Sequence, residues 1–300
     1  MPVIKRYLSA ENLGRADEDL HFLFNFLDHD DFRRELAVEF RRPNELSIYD
    51  RGNRLAQLTL LSNGNYRMTT NQKFVEGTPL GDNVKFPGER SRSEVSYTVP
   101  AQQLHALLQF AHIKSMRARI KHANYKEELR VAQMIAADNS TGTDVVVIDR
   151  EVGDSAPELP GQRLDLLALQ ETDPGSYRFL AIEVKLGNNP ELDEEAKAKS
   201  GARTAVDQLE GYVAQIDRYF EDYAKCYRNN VDQKLKLGLM DNWDEAPEIM
   251  QDTRGLLAVV GYGGIAEPKL KVIAQEHPDL WIKVFDYGLR SRGDVIENLL

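Results

Sequence analysis

Apolar and polar positions alternate along this chain in three distinct rhythms. In the first 35 residues Leu20, Phe22, Leu23, Phe24, Phe26 and Leu27 crowd together, which predicts a helix ending at the turn-like Asp28-His29-Asp30-Asp31. From residue 35 to about residue 70 the rhythm shortens. Candidate strands at 36–40, 46–49, 55–61 and 66–69 are separated by Pro43-Asn44, by Asp50 to Asn53 and by Asn63-Gly64, the punctuation of an antiparallel meander. Residues 71–99 read as polar and loop-rich. After Pro100 helical spacing returns with Leu104, Leu107, Leu108, Phe110 and Ala111, in broken form to Met116 and beyond, and a second helix is expected near 125–137.

The remainder reads as strand 144–148, a hairpin of strands around 163–169 and 179–186, and a long helical region at 191–227. Strand 256–260, a helix near 268–275 and strand 281–285 follow. That order predicts an α/β fold with a mixed central sheet flanked by helices, preceded by a smaller N-terminal α+β domain. The boundary is expected near residue 115, giving domains 1–115 and 116–300. Three hundred residues can support both cores.

Composition adds only limits. At 42% hydrophobic and 29% charged the chain has a globular composition. It shows no membrane-length apolar run and no signal-like N-terminal segment, so a cytoplasmic protein with no membrane partner is expected. One cysteine, Cys226, excludes an internal disulfide framework and a Cys-rich zinc site. The net charge of −10 argues against indiscriminate nucleic-acid binding, yet it is uneven. Residues 1–120 hold 17 Lys/Arg and 15 Asp/Glu, while the rest hold 21 and 33. A local basic patch therefore stays compatible with the acidic total.

The hairpin carries the chemistry. Its strands read Arg163-Leu-Asp165-Leu-Leu-Ala-Leu169 and Phe179-Leu-Ala-Ile-Glu183-Val-Lys185-Leu186. Charges in apolar strands are costly unless paired, and adjacent carboxylates commonly share a metal ion. Strand alternation puts Glu183 and Lys185 on one face, opposite a core face of Leu180, Ile182, Val184 and Leu186. Leu164, Leu166 and Ala168 match that core face, leaving Asp165 with Glu183 and Lys185. A hairpin centred on Pro174 pairs Asp165 with Glu183. A tight Pro174-Gly175 loop would instead set Asp165 opposite Val184, and the longer loop is preferred because Pro-Gly does not suit the twist of a tight hairpin. Asp165 and Glu183 are thus candidate ligands for Mg²⁺ or Mn²⁺, with Lys185 placed to orient water or to stabilise phosphoryl charge. Glu-x-Lys recurs as Glu195-Ala-Lys197 and Glu267-Pro-Lys269. Only the hairpin copy shares its face with an aspartate between apolar strands.

A helix with a glutamate, a strand, Asp165 on a second strand and Glu183-Val-Lys185 on a third resemble the PD-(D/E)xK nuclease superfamily. Gln208-Leu-Glu-Gly-Tyr212 resembles the Gln-x-x-x-Tyr motif of its exonuclease-like branch, with Gln208 and Tyr212 on one helical face. The likeness covers roughly residues 120–290, and Leu164 stands where the superfamily's name has proline. It implies a restriction-endonuclease-like domain and metal-dependent cleavage of phosphodiesters, with DNA as the expected substrate. Asp165 and Glu183 would bind metal, Lys185 would assist the water, and Glu128 would be the first-helix acid, with Glu127 as the alternative. A catalytically inactive fold serving as a binding module is the rival expectation. Its partner would be a protein or nucleic acid, and a protein partner or a second copy could use the N-terminal domain.

Lys114, Arg117 and Lys121 form a basic stripe at i, i+3 and i+7 if their helix persists. With Arg119, Lys126, Arg90 and Arg92 nearby, it could follow a phosphate backbone. A solvated helix face explains the stripe equally well. Asp28 to Asp31 suits a capping turn better than a metal site, and the six histidines lack ligand spacing. Gly261-Tyr-Gly-Gly264 fits a turn rather than a nucleotide fingerprint. The acidic run from Glu191 to Glu195 is expected to open a helix, where carboxylates suit the dipole.

Overall fold

The computed structural model describes residues 4–27, 36–78, 80, 88–91, 93–123, 127–140, 142, 144–153, 163–193, 203–261 and 263–285. The fold is mixed α/β, with eight α-helices, an antiparallel six-stranded sheet and a mixed five-stranded sheet among these residues. The chain divides into two compact units. One comprises 5–138 and 226–246, the other 1–4, 139–225 and 247–300. The division falls later than residue 115 because Met116 and Ile120 belong to the core of the first unit. Among the described residues no helix is long and apolar enough to cross a membrane.

In the first unit α1 (Ala10–Leu27) buries Leu20, Leu23 and Phe24, spaced as one helical face. The sheet then runs β1 (Leu36–Arg42), β2 (Glu45–Asp50), β3 (Asn53–Leu60) and β4 (Asn65–Asn71), a meander of neighbouring antiparallel strands. Arg51 and Gly52 both take positive φ in the two-residue turn between β2 and β3, as a tight hairpin's twist requires. After the short α2 (Gln72–Val75) come β5 (Gly88–Arg90) and β6 (Glu94–Pro100). These two strands fall where a polar loop was expected. Val95, Tyr97 and Val99 are buried at every second position, and β6 pairs with β4 along its length. Helices α3 (Ala101–Leu107), α4 (Phe110–Ala123) and α5 (Glu127–Asp138) follow.

The second unit is built on a sheet of strand order β11-β10-β9-β8-β7. Strands β7 (Val145–Val152), β8 (Leu164–Asp173) and β9 (Ser176–Leu186) are antiparallel neighbours, whereas β10 (Glu248–Val260) and β11 (Trp281–Phe285) run parallel to β9. The parallel crossovers carry α6 (Ala205–Arg218) and α7 (Phe220–Lys236) before β10, and α8 (Gly263–Glu276) before β11. The long helical region expected at 191–227 is instead a 3-10 turn (Pro190–Leu192) and two helices broken at Tyr219; residues 194–202 lie outside the described ones. Gln215 Nε2 donates to the Tyr223 hydroxyl at 2.7 Å across that break.

Part of α7 belongs to the first unit. Cys226, Asn230 and Gln233, one face of this helix, bind the backbone of Arg6 and Leu8. Arg6 N–H donates to Cys226 Sγ at 3.3 Å and Asn230 Nδ2 to the Arg6 carbonyl at 2.6 Å. Gln233 accepts from Leu8 N–H at 2.7 Å and donates to the Leu8 carbonyl at 2.8 Å. The only cysteine of the chain is therefore a buried packing residue.

Candidate functional site

The β8–β9 register pairs Leu166 with Ile182 and Ala168 with Leu180, so the frame that sets Asp165 across from Glu183 holds. The connection combines two features that the sequence set against each other. Pro174-Gly175 does form a two-residue turn between Asp173 and Ser176, with Gly175 at positive φ. A bulge at Thr172 absorbs one residue and returns the strands to the Pro174-centred frame.

Both faces of β9 are buried, which corrects the one-sided core expected from alternation. The strand is central, so helices can cover both sides of it. Gly255 pairs with Ala181 and therefore shares its face with Glu183 and Lys185. A methyl group on Gly255 would meet Leu209 at 3.0 Å and Val213 at 3.3 Å, which places α6 on that face. Glu183 is only 2% exposed and Lys185 8%.

Lys185 Nζ lies 2.8 Å from Glu183 Oε1 and 2.7 Å from Glu191 Oε2. Gln208 Nε2 donates to the same Glu191 oxygen at 3.2 Å. Asp165 Oδ2 accepts the Val184 N–H at 2.8 Å, so one of its oxygens is anchored to the neighbouring strand. Among the described residues Glu183 Oε2 is buried with no hydrogen-bond partner. Burial, then the charge of Asp165, push the Glu183 carboxyl up to about 8, against the opposing pull of Lys185. Burial works against the Lys185 cation, but its two carboxylate partners outweigh that and hold its pKa above the ordinary lysine value.

Local structure explains how Gln208 and Glu191 arrive there. Thr204 caps α6, accepting from Asp207 N–H at 3.2 Å while Asp207 Oδ2 accepts from Thr204 N–H at 2.9 Å, and Gln208 follows in the first turn. Asn189 Oδ1 accepts the Glu191 N–H at 2.9 Å and caps the 3-10 turn. Glu191 was read as the first residue of an acidic helix, so its role beside Lys185 was missed. The signal was present: an Asn-Pro turn start directly after the strand that carries the lysine.

The other candidates are placed less centrally. Tyr212 is buried on α6 in line with Leu209 and Ile216, four residues from Gln208 as expected. Glu128 lies in the first turn of α5, half-buried, in the first unit. Of its helix's expected anchors, Ala132 is buried and Leu129 and Ile135 are half-buried. Lys114 is exposed on α4, with Nζ 5.9 Å from the Phe110 ring centre. Arg117 is engaged elsewhere. Its Nε lies 2.7 Å from Asp50 Oδ1, a carboxylate with 0% exposure, so it satisfies a buried charge. The side chains of Lys121 and Arg90, and Arg92, Lys126, Glu195, Lys197 and the run 28–31, lie outside the described residues.

Among the described residues no group of three or more His, Cys, Asp or Glu side chains is arranged to hold a metal. A cation here would rest on Asp165, Glu183 and water. That donor set suits Mg²⁺, which keeps several waters, and it would engage the unpartnered Glu183 oxygen. Comparison of the chain with protein-family models, with curated proteins and with solved structures finds no match.

Proposed function

We propose that the chain is a metal-dependent nuclease that hydrolyses phosphodiester bonds of DNA, on a second unit of PD-(D/E)xK, restriction-endonuclease-like type. One observation carries the reading. The buried oxygen Glu183 Oε2 has no partner among the described residues, and its carboxyl lies under the charge of Asp165 and beside the Lys185 ammonium. A buried carboxyl whose proton affinity is raised by burial and by a neighbouring carboxylate is poised to exchange that proton for a cation.

Asp165 and Glu183 would hold Mg²⁺ or Mn²⁺. When bound, the ion supplies a Lewis acid and an acidified water. Asp165 is oriented by the Val184 amide, so its remaining oxygen keeps a fixed direction. Lys185 brings positive charge to the side where a phosphoryl oxygen gains negative charge. Gln208 touches Glu191, and so acts on the site through that residue. Glu128 as first-helix acid and Lys114 as a phosphate contact are parts of the same proposal.

The test is cleavage of single- and double-stranded DNA and of RNA with Mg²⁺ or Mn²⁺ and chelator controls. Asp165→Asn and Lys185→Ala should each lower the rate at least about a thousandfold with the fold retained by circular dichroism. Equal cleavage by wild type and variants, or no divalent-ion binding by calorimetry, refutes the assignment.

A second reading has its own observation. Lys185 is closed between two carboxylates, and Gln208 is committed to one of them. A charge cluster locked in this way suits a nuclease-like fold kept as a binding module. That reading predicts nucleic-acid or protein binding without metal and no cleavage.

A further inference from the structure

Lys185 has two partners of different character. Glu183 is buried among apolar strands, while the Glu191 side chain is 41% exposed on a three-residue turn. The two contacts are nearly equal in length, at 2.8 and 2.7 Å. Glu191 is itself held twice, through its amide by Asn189 and through Oε2 by Gln208. Gln208 is fixed in turn by the capped start of α6. The links form a chain from the helix cap through Gln208 and Glu191 to the ammonium.

We infer that Glu191 is a positioning residue that anchors Lys185 from the solvent side, so that Glu183 can pass to a divalent cation without losing the lysine from the site. The inference rests on the metal-dependent reading above. Its physical basis is competition. An ammonium and a divalent cation both want the Glu183 carboxylate, and they repel each other. With Glu183 as sole partner, Lys185 either blocks the cation or is expelled by it. A second carboxylate, preorganised by Gln208 and Asn189, lets the ammonium stay beside Glu183 while releasing its oxygen. Gln208 is then a positioning residue one step further out.

The experiment is a double-mutant cycle read by calorimetric Mn²⁺ titration of the full chain, with Glu191→Gln made both in the wild-type background and in the Lys185→Met background. With Lys185 present, Glu191→Gln should weaken Mn²⁺ binding about tenfold, the scale of one lost charge-assisted hydrogen bond. In the Lys185→Met background the same change should alter affinity by less than about twofold, because no ammonium competes for Glu183. Gln208→Ala should reproduce part of the first effect and add little to Glu191→Gln. In the cleavage assay Glu191→Gln should lower kcat at saturating metal and leave KM for DNA unchanged.

An equal loss in both backgrounds would make Glu191 a simple attracting charge or a direct ligand and overturn the inference. So would no loss in the wild-type background. If the unaltered protein binds no Mn²⁺, the metal reading itself fails and takes this inference with it, a result distinct from the other two. Glu191 is partly exposed on its turn, so its substitution should leave the fold intact, which circular dichroism verifies.

Discussion

Replacing Glu183 by glutamine should remove a specific pH dependence from the stability of the protein. In the unfolded chain this carboxyl titrates near its ordinary 4.5; in the folded chain it titrates near 8, mainly because it is buried and secondarily because Asp165 is close. Below pH 4.5 both states hold the proton and the group contributes no slope. Between 4.5 and 8 the unfolded chain releases it while the folded chain keeps it, so the unfolding free energy falls as pH rises. Above 8 both states are ionised and the slope ends. At about 1.4 kcal/mol per pH unit, the full window is worth on the order of 5 kcal/mol. The assay is urea denaturation in chelator at several pH values from 5 to 9, comparing wild type with Glu183→Gln. Subtracting the variant cancels other groups that titrate in both proteins, such as Glu45, which burial also shifts upward. The stability of wild type relative to the variant should fall by a few kcal/mol across the window. A difference independent of pH would show that Glu183 is already ionised in the apo fold and would refute the reasoning.

The first unit offers further tests. Gly52→Ala should lower stability by about 2–3 kcal/mol, since residue 52 takes φ +79 and a methyl there would run into the Leu129 carbonyl; a denaturant midpoint measures it, and a neutral result would show that the hairpin turn can shift. Arg117→Ala should cost about 3–5 kcal/mol by breaking its ion pair with the buried Asp50, with the salt dependence of DNA binding unchanged. Lys114→Ala should behave in the opposite way if it contacts phosphate, lowering the salt slope of DNA binding by about one and leaving the melting temperature in place.

The hairpin was legible because one period governs a strand: alternation put Asp165, Glu183 and Lys185 on one face, whereas the register rested on rejecting a tight Pro174-Gly175 turn, which does form and is offset by the bulge at Thr172. Other elements were hidden for physical reasons. Strand β6 has an alternating Val95, Tyr97 and Val99, but Glu94, Ser96 and Thr98 between them made the segment look like the polar loop before it. The first half of β10, Glu248 to Arg254, is polar because it runs beside the hairpin tip, where Arg178 and Asp252 pair at 2.6 Å. Helical periodicity runs through Tyr219 without a glycine or proline, so nothing local announced the break there. Glu191 was hidden because its role depends on a tertiary contact with a lysine six residues away around a turn. Arg117 looked like a solvated cation because only the fold reveals a carboxylate as deeply buried as Asp50.

The second unit keeps its charge cluster against the interest of its own stability. Desolvating an ion pair such as Glu183–Lys185 costs several kcal/mol per charge, which their mutual attraction rarely restores in full. Here the deficit is larger, since one Glu183 oxygen has no partner among the described residues and the Asp165 charge opposes ionisation. The double substitution Glu183→Leu with Lys185→Met keeps side-chain volume similar between Leu167, Ala181 and Leu257, which share that face. It should therefore raise stability by about 1–4 kcal/mol at pH 8 while abolishing any cleavage. Denaturant unfolding and the DNA cleavage assay measure the two effects on one sample. A gain in stability with loss of cleavage means the charges are retained for chemistry at the expense of the fold. A loss of more than about 2 kcal/mol would mean the pair holds the sheet together, which favours the binding-module reading over the enzyme.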